Sequence, residues 1–155
     1  MKNENNIEVL NDLIKINNDR IAGYEKAAEN IDQSEVMLKT LFYQLAEESM
    51  EFKRELSERV STMGATPADD TTAPGKVYRL WMDIKSTFSG NDKKSTLEAC
   101  EFGEDAAQRA YKMALEARDE LPFSIVQLIE DQKALLRMSH DLIRNQRDEY
   151  KEMAK

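Results

Sequence analysis

His140 is the single histidine of the sequence, and its neighbours on a helical wheel suggest a metal site. On a wheel of about 100° per residue, His140 falls at the edge of the apolar stripe of the last helical segment. Glu48 lies at the edge of the second stripe, and Glu104 lies near the centre of the third. Carboxylates and imidazole bind Zn²⁺ and Fe²⁺, with water completing the coordination. These three residues therefore predict a site for one Fe or Zn ion, with Glu101 as a further candidate ligand.

A second interpretation of the same residues needs no metal. Asn17 falls near the centre of the first stripe, at about the height of the other three residues when each helical residue rises ~1.5 Å. Buried polar groups are stable when they are paired, so His140 would then bond Glu48 or Glu104. A polar layer closed by hydrogen bonds is the favoured alternative.

A two-metal oxidase site is disfavoured by the residues around these positions. Such sites use Glu-x-x-His motifs, and the residue three before His140 is Arg137. The first helical segment offers only the neutral ligands Asn17 and Asn18, while Asp19 is expected to face outward. Cys100 lies on an apolar face without a basic neighbour, which indicates a core residue rather than a nucleophile. The sequence therefore favours a protein that is not an enzyme, without settling the point.

Four long helices are predicted to position these side chains. All three prolines fall between long segments with apolar residues at steps of three and four. Asp32 or Ser34 is expected to cap the second helix, which stops at Gly64, and Ser95 with Glu98 is expected to form a capping box for the third. Leu135 and Leu142 are expected to face inward. The first, third and fourth helices are predicted over 7–30, 95–118 and 123–153.

The crossover over 64–94 determines the predicted topology. A linker of roughly 30 residues can climb the whole bundle, so helices 2 and 3 are expected to run parallel. This predicts a single all-α domain over 1–155, a ferritin-like four-helix bundle in the order up-down-down-up, with a short extra helix in the crossover. Tyr78, Trp81 and Phe88 make that short helix amphipathic, and they would cover the bundle or form a homo-oligomer surface.

Composition excludes several partners. The 155 residues carry 22 Lys and Arg against 30 Asp and Glu, a net charge of −8, which argues against nucleic-acid binding. No apolar run approaches the ~18 residues of a membrane span. A single cysteine and the absence of a signal-peptide pattern at the first residues favour a cytoplasmic location.

Several segments resemble a bacterial family of uncharacterised four-helix-bundle proteins, known only as a domain of unknown function in the ferritin-like superfamily. These segments are LNDLI, GYEKAAE, LAEE, WMDIK, EACEFGEDAA and SHD. By position, the residues that match the polar motif of the family are Glu47, Glu48, Glu101, Glu104 and His140. The resemblance implies a ferritin-like bundle in a bacterial cytoplasm and no established activity.

Three functions stay open at this stage. The leading one is a non-catalytic structural or interaction protein with a polar layer in mid-bundle. The second is a metal-binding protein that uses Glu48, Glu104 and His140. The third is an oxidoreductase of the rubrerythrin or ferritin type with a degenerate site.

Overall fold

Helices make up almost all of the described chain. The structure, a computed structural model, describes residues 2–70 and 93–153. The helices are α1 (Lys2–Asn30), α2 (Val36–Thr62), α3 (Lys93–Glu116) and α4 (Phe123–Met153), with a short 3-10 helix, Arg118–Glu120, before α4. No strand occurs within these described ranges. The all-α prediction is confirmed, and α4 has the predicted bounds.

The order of the helices is up-down-down-up, as predicted. The connections over 31–35 and 117–122 are short, so α2 returns antiparallel to α1 and α4 returns antiparallel to α3. Lys93 at the start of α3 lies 3.3 Å from Glu35, which directly precedes α2. The starts of α2 and α3 therefore lie at the same end of the bundle, and these two helices run parallel.

The helix ends differ from the predictions in detail. Gly64 ends α2 as expected: it has a φ of +81°, and the Ala65 N–H donates to the Val60 carbonyl at 3.2 Å. The capping predictions are wrong. The Asp32 side chain accepts from Ser34 within the connecting turn, and no side chain caps α2. α3 has already begun at Lys93, so Ser95 lies too far into the helix to act as its N-cap.

The rotation of α4 also differs from the prediction for two leucines. Leu136, Ile143 and Ile129 are fully buried or nearly so, while Leu135 and Leu142 are about half exposed. The buried positions recur at steps of seven, which sets one face of the helix toward the core. Adjacent leucines cannot both lie on that face because each residue turns the helix by about 100°.

α1 is buried on more sides than a helix that has one face in solvent. From Leu13 to Arg20 every residue is buried or half-buried. Asp19 is fully buried, so the expectation that it faces outward is wrong. A wheel that assumes one solvent-facing side fails for a helix that is covered on several sides. The predicted crossover helix, with Tyr78, Trp81 and Phe88, lies outside the described residues.

Candidate functional site

Arg20 of α1 lies in the middle of the bundle and connects α1 to α2 and α3. The side chain is 2% exposed. Its Nε donates to Glu104 Oε1 of α3 at 2.6 Å, and its Nη1 donates to Ser49 Oγ of α2 at 2.7 Å. Its Nη2 lies 3.0 Å from Glu48 Oε1, also on α2. One guanidinium is therefore enclosed by two carboxylates and a hydroxyl.

The electrostatics of this group keep the guanidinium charged. Burial by itself would lower the pKa of Arg20, but the negative charges of Glu104 and Glu48 raise the pKa above its ordinary value. A buried ion pair is stable when the partners satisfy each other closely. The short hydrogen bonds to Glu104 and Ser49 meet that condition, whereas Arg20 Nη2 and Glu104 Oε2 form no hydrogen bond. The centre of the bundle thus holds a permanent cation supplied by the chain itself.

Tyr24 and Cys100 surround the same carboxylate. The Tyr24 hydroxyl donates to Glu104 Oε1 at 2.6 Å, and its ring centroid lies 5.3 Å from Arg20 Cζ. Burial, followed by the charge of Glu104, raises the pKa of the Tyr24 phenol and that of the Cys100 thiol well above their ordinary values. Both groups are therefore neutral at physiological pH. Cys100 is fully buried, in agreement with its interpretation as a core residue.

Tyr111 is the centre of a second, uncharged group of buried polar residues. Its hydroxyl accepts from Asn17 Nδ2 at 2.9 Å and donates to Gln132 Oε1 at 2.6 Å. Gln132 Nε2 in turn donates to the Phe52 carbonyl at 3.3 Å and to Glu55 at 3.1 Å. This chain of hydrogen bonds joins all four helices through side chains that lie inside the bundle.

The three predicted metal ligands do not face one another. Glu48 and Glu104 both contact Arg20, and Glu48 also accepts from Ser139 Oγ of α4 at 2.8 Å. His140 Nε2 lies 2.6 Å from Asp105 Oδ1. The predicted bond from His140 to Glu48 or Glu104 is therefore wrong. His140 lies on the edge of α4 nearest α3, where Asp105 and not Glu104 is within hydrogen-bonding distance.

Glu101, the further candidate ligand, is paired elsewhere. It forms an ion pair with Arg147 Nη1 of α4. Within residues 2–70 and 93–153, no three His, Cys, Asp or Glu side chains are grouped so that they could hold a metal ion. The donor atoms expected for a metal thus face a guanidinium or other protein groups, and the described residues do not fit a metal centre. Metal binding by the protein in solution stays a prediction.

Among the described residues, three buried acceptor oxygens lack a donor. Glu104 Oε2, Asn17 Oδ1 and Glu101 Oε2 are buried and form no hydrogen bond. A buried polar atom without a partner is unfavourable by about 1–3 kcal/mol, so these three oxygens are the places where a water or an ion would be favoured.

Sequence reasoning overlooked Arg20 and Tyr24. A signal was present, since Arg20 follows Asn17 by three residues and precedes Tyr24 by four, the spacing of one helix face. An arginine on an otherwise apolar face indicates a buried ion pair. The search for ligand types did not include it because arginine does not bind metals.

These features define a class of protein: a four-helix bundle whose inward carboxylates pair with a buried arginine. Residues 5–117 match the family described as "Domain of unknown function (DUF2383)", and the chain belongs to this family. In structure the chain is similar to a mutant of Dps1 from Mycobacterium smegmatis, with a TM-score of 0.80 and 16% sequence identity. The match covers 94% of this chain and 97% of that chain. At this identity the likeness shows the ferritin-like fold alone.

A search of curated proteins found no significant match to the sequence. Among the described helices, none is long and apolar enough to cross a membrane.

Proposed function

We propose that this protein is a non-catalytic ferritin-like bundle with a structural or interaction role, in which Arg20 serves as the cation of the interior. The observation that carries the proposal is the enclosure of the Arg20 guanidinium by Glu104, Glu48 and Ser49. Metal-binding bundles use inward carboxylates as ligands. Here those carboxylates are engaged by a group that cannot be removed without a mutation.

The other ionisable groups beside this layer also support a non-catalytic role. The Cys100 thiol and the Tyr24 phenol both have a raised pKa, so neither is activated as a nucleophile or a base. His140 pairs with Asp105 at the edge of α4 and does not contact Glu104 or Glu48. A bacterial cytoplasmic location, inferred from the family resemblance, and no binding of nucleic acid, inferred from the net charge of −8, belong to the same proposal.

The test of this proposal is metal titration of the wild-type protein and of an Arg20→Met variant. The wild type, purified without chelator or affinity-tag nickel, should retain well below one equivalent of Fe or Zn. Its melting temperature should not respond to added Zn²⁺ or Fe²⁺. Arg20→Met leaves Glu48 and Glu104 without a cation, so the same ions should stabilise this variant. A ligand at one hundred times its Kd stabilises a fold by about 2.7 kcal/mol, an easily measured shift.

Two further variants keep the test decisive. If Arg20→Met does not fold, Arg20→Lys retains a cation and should remain insensitive to metal. If instead the wild type retains one equivalent of metal, and His140→Ala abolishes the metal-dependent rise in melting temperature, the proposal is overturned.

A second candidate function, binding of a single Fe or Zn ion, is favoured by one observation. Glu104 Oε2 is buried without a hydrogen-bond donor, and a divalent ion would satisfy it. To bind the same ion, Glu48, Glu101 and His140 would have to release their present partners. The titration above separates the two candidates, because only this one predicts stoichiometric metal in the wild type and loss of binding in His140→Ala.

A further inference from the structure

A cleft lies between the first half of α1 and the last half of α3. Its volume is about 420 Å³, within the range of roughly 300–1,000 Å³ that is common for small-molecule sites. Both of its walls are apolar and consist of Val9, Leu13, Ile16, Ala110, Met113 and Ala114. The walls therefore favour a hydrocarbon group as the occupant.

The shape of the cleft follows from the residues on its two sides. On α3, Ala110 and Ala114 lie one turn apart and carry only a methyl group, while Met113 is 67% exposed. On α1, Val9 and Ile16 lie two turns apart on one face, which is about 10 Å at ~1.5 Å per residue. Methionine side chains are flexible and adapt to apolar ligands. The cleft therefore has room for an extended hydrocarbon chain of similar length.

The rim of the cleft on α1 is acidic. Asp12 and Lys15 line it, and the exposed Glu8 lies one turn before Asp12 on the same side of the helix. Partial burial and then the negative charge of Glu8 raise the pKa of Asp12, while the positive charge of Lys15 lowers it by less than Glu8 raises it. The two carboxylates thus outweigh the one ammonium at this position, and a cation placed there is attracted.

The rim on α3 does not change this sign. Arg109 and Glu116 share one side of α3 with Met113, have opposite charges and do not line the cleft. The charge that a ligand meets at the mouth of the cleft is therefore set by α1.

We propose that this cleft binds a small amphipathic cation, a hydrocarbon chain that ends in an ammonium group. The chain lies between Leu13 and Ala110, and the ammonium lies beside Asp12. A ligand with a carboxylate in place of the ammonium meets two carboxylates on the rim, so the cleft discriminates against it. The proposal goes beyond the proposed function. It concerns a cleft that Arg20 does not line, so the metal titration neither supports nor contradicts it.

The probe for this proposal is n-octylammonium chloride, added to the wild-type protein below the critical micelle concentration. Two-dimensional NMR spectra of nitrogen-labelled protein report the place of binding and the Kd. The backbone amides of Leu13, Ile16 and Ala110 should shift, whereas those of α4 should not.

Two control ligands separate the contribution of the chain from that of the charge. Sodium n-octanoate has the same chain with the opposite charge and should bind more weakly by about three-fold or more. Methylammonium has the charge without the chain and should not bind measurably, because each buried CH₂ changes the Kd by about four-fold.

Asp12→Asn tests the charge of the rim. The substitution keeps the shape of the side chain, so it should weaken n-octylammonium binding by about two- to five-fold, the range of an exposed ion pair. It should not weaken the binding of n-octanoate. The matched control is Asp131→Asn, the same change at an exposed position of α4, which should leave the Kd unchanged.

Ala110→Leu tests the cleft itself. The larger side chain occupies the space of the ligand, so n-octylammonium should bind at least about ten-fold more weakly. Ala134→Leu, the same change at an exposed position of α4, should have no effect. If Ala110→Leu does not fold, Asp12→Asn and the n-octanoate comparison decide. The proposal is overturned if the cleft amides do not shift, if n-octanoate binds as tightly as n-octylammonium, or if either folded variant leaves the Kd unchanged.

Discussion

Arg20 determines how the interior of this bundle responds to mutation. Its charge is buried and is balanced by Glu104 and Glu48. Removing one member of a buried ion pair leaves the other charge without compensation, which is more damaging than losing the attraction alone. For the stability of the fold, the burial of Arg20 therefore matters more than the number of contacts it makes.

We expect Arg20→Met to lower the free energy of unfolding by about 3–5 kcal/mol. Urea unfolding followed by circular dichroism measures the change. The matched control is Arg54→Met, because Arg54 also contacts two carboxylates, Glu51 and Glu58, but lies on the surface. Water compensates those surface charges, so the control should leave the midpoint unchanged. Equal effects of the two substitutions would show that Arg20 is not buried as described.

The Tyr111 hydroxyl should also contribute measurably to stability. Tyr111→Phe removes the hydroxyl that accepts from Asn17 and donates to Gln132, so Gln132 Oε1 is left without a donor inside the bundle, while Asn17 Nδ2 keeps its bond to the Leu13 carbonyl. The expected loss is about 1–3 kcal/mol. Tyr43→Phe is the control, since Tyr43 is 41% exposed and its hydroxyl can bond water. A loss of the same size in both variants would contradict the buried hydrogen-bond chain.

At the scale of helices, the rotation of α4 separates two adjacent leucines. Leu136 is fully buried and Leu135 is about half exposed, although both belong to one apolar run. Periodicity alone places a stripe to within about one residue, so it could not separate these neighbours. Packing against α2 and α3, through Gln132, Ser139 and His140, sets the rotation.

Leu136→Ala and Leu135→Ala provide a test of this rotation. The first substitution leaves a cavity in the core and should reduce the free energy of unfolding by about 2–5 kcal/mol. The second removes atoms that water already contacts, so its effect should stay within about 0.5 kcal/mol. Denaturant unfolding measures both changes. The reverse order of the two values would place Leu135 in the core.

Much of the architecture follows from spacing and length. The crossover was long enough to imply parallel α2 and α3, and Lys93 beside Glu35 confirms it. Asn17 and Glu104 were expected in the interior and are buried there. The spacing of Asn17, Arg20 and Tyr24 indicates that Arg20 faces inward, but it does not identify the partner, because Glu104 lies 84 residues away and only the assembled bundle brings the two together.

At the scale of the whole molecule, three buried groups with a raised pKa connect the stability of the fold to pH: the thiol of Cys100 and the phenols of Tyr24 and Tyr111. Burial is the main cause that raises the pKa of each group in the folded state. A folded state that holds these protons more tightly than the unfolded state is favoured fully below the unfolded-state pKa values. Its advantage is lost as the pH rises through the window between the unfolded and folded pKa values.

We therefore expect the free energy of unfolding to fall at alkaline pH, beginning at about pH 8.5 for the thiol and at about pH 10 for the two phenols. Each group contributes a slope of at most about 1.4 kcal/mol per pH unit in that window. Urea unfolding between neutral and alkaline pH measures the slope. Cys100→Ala should delay the onset of the decline, whereas Tyr43→Phe should not change it. A flat profile in the wild type would contradict the burial of all three groups.

The distance along the chain between Arg20 and Glu104 has a consequence for synthesis on the ribosome. Glu104 follows Arg20 by 84 residues, so at roughly 5–20 residues per second it is made roughly 4–17 s later. During that interval the emerging pair α1 and α2 can offer Arg20 the Glu48 carboxylate, the Ser49 hydroxyl and the Leu45 carbonyl, but not Glu104. The hairpin of α1 and α2 therefore lacks the fully buried carboxylate that pairs with Arg20 until α3 has been made.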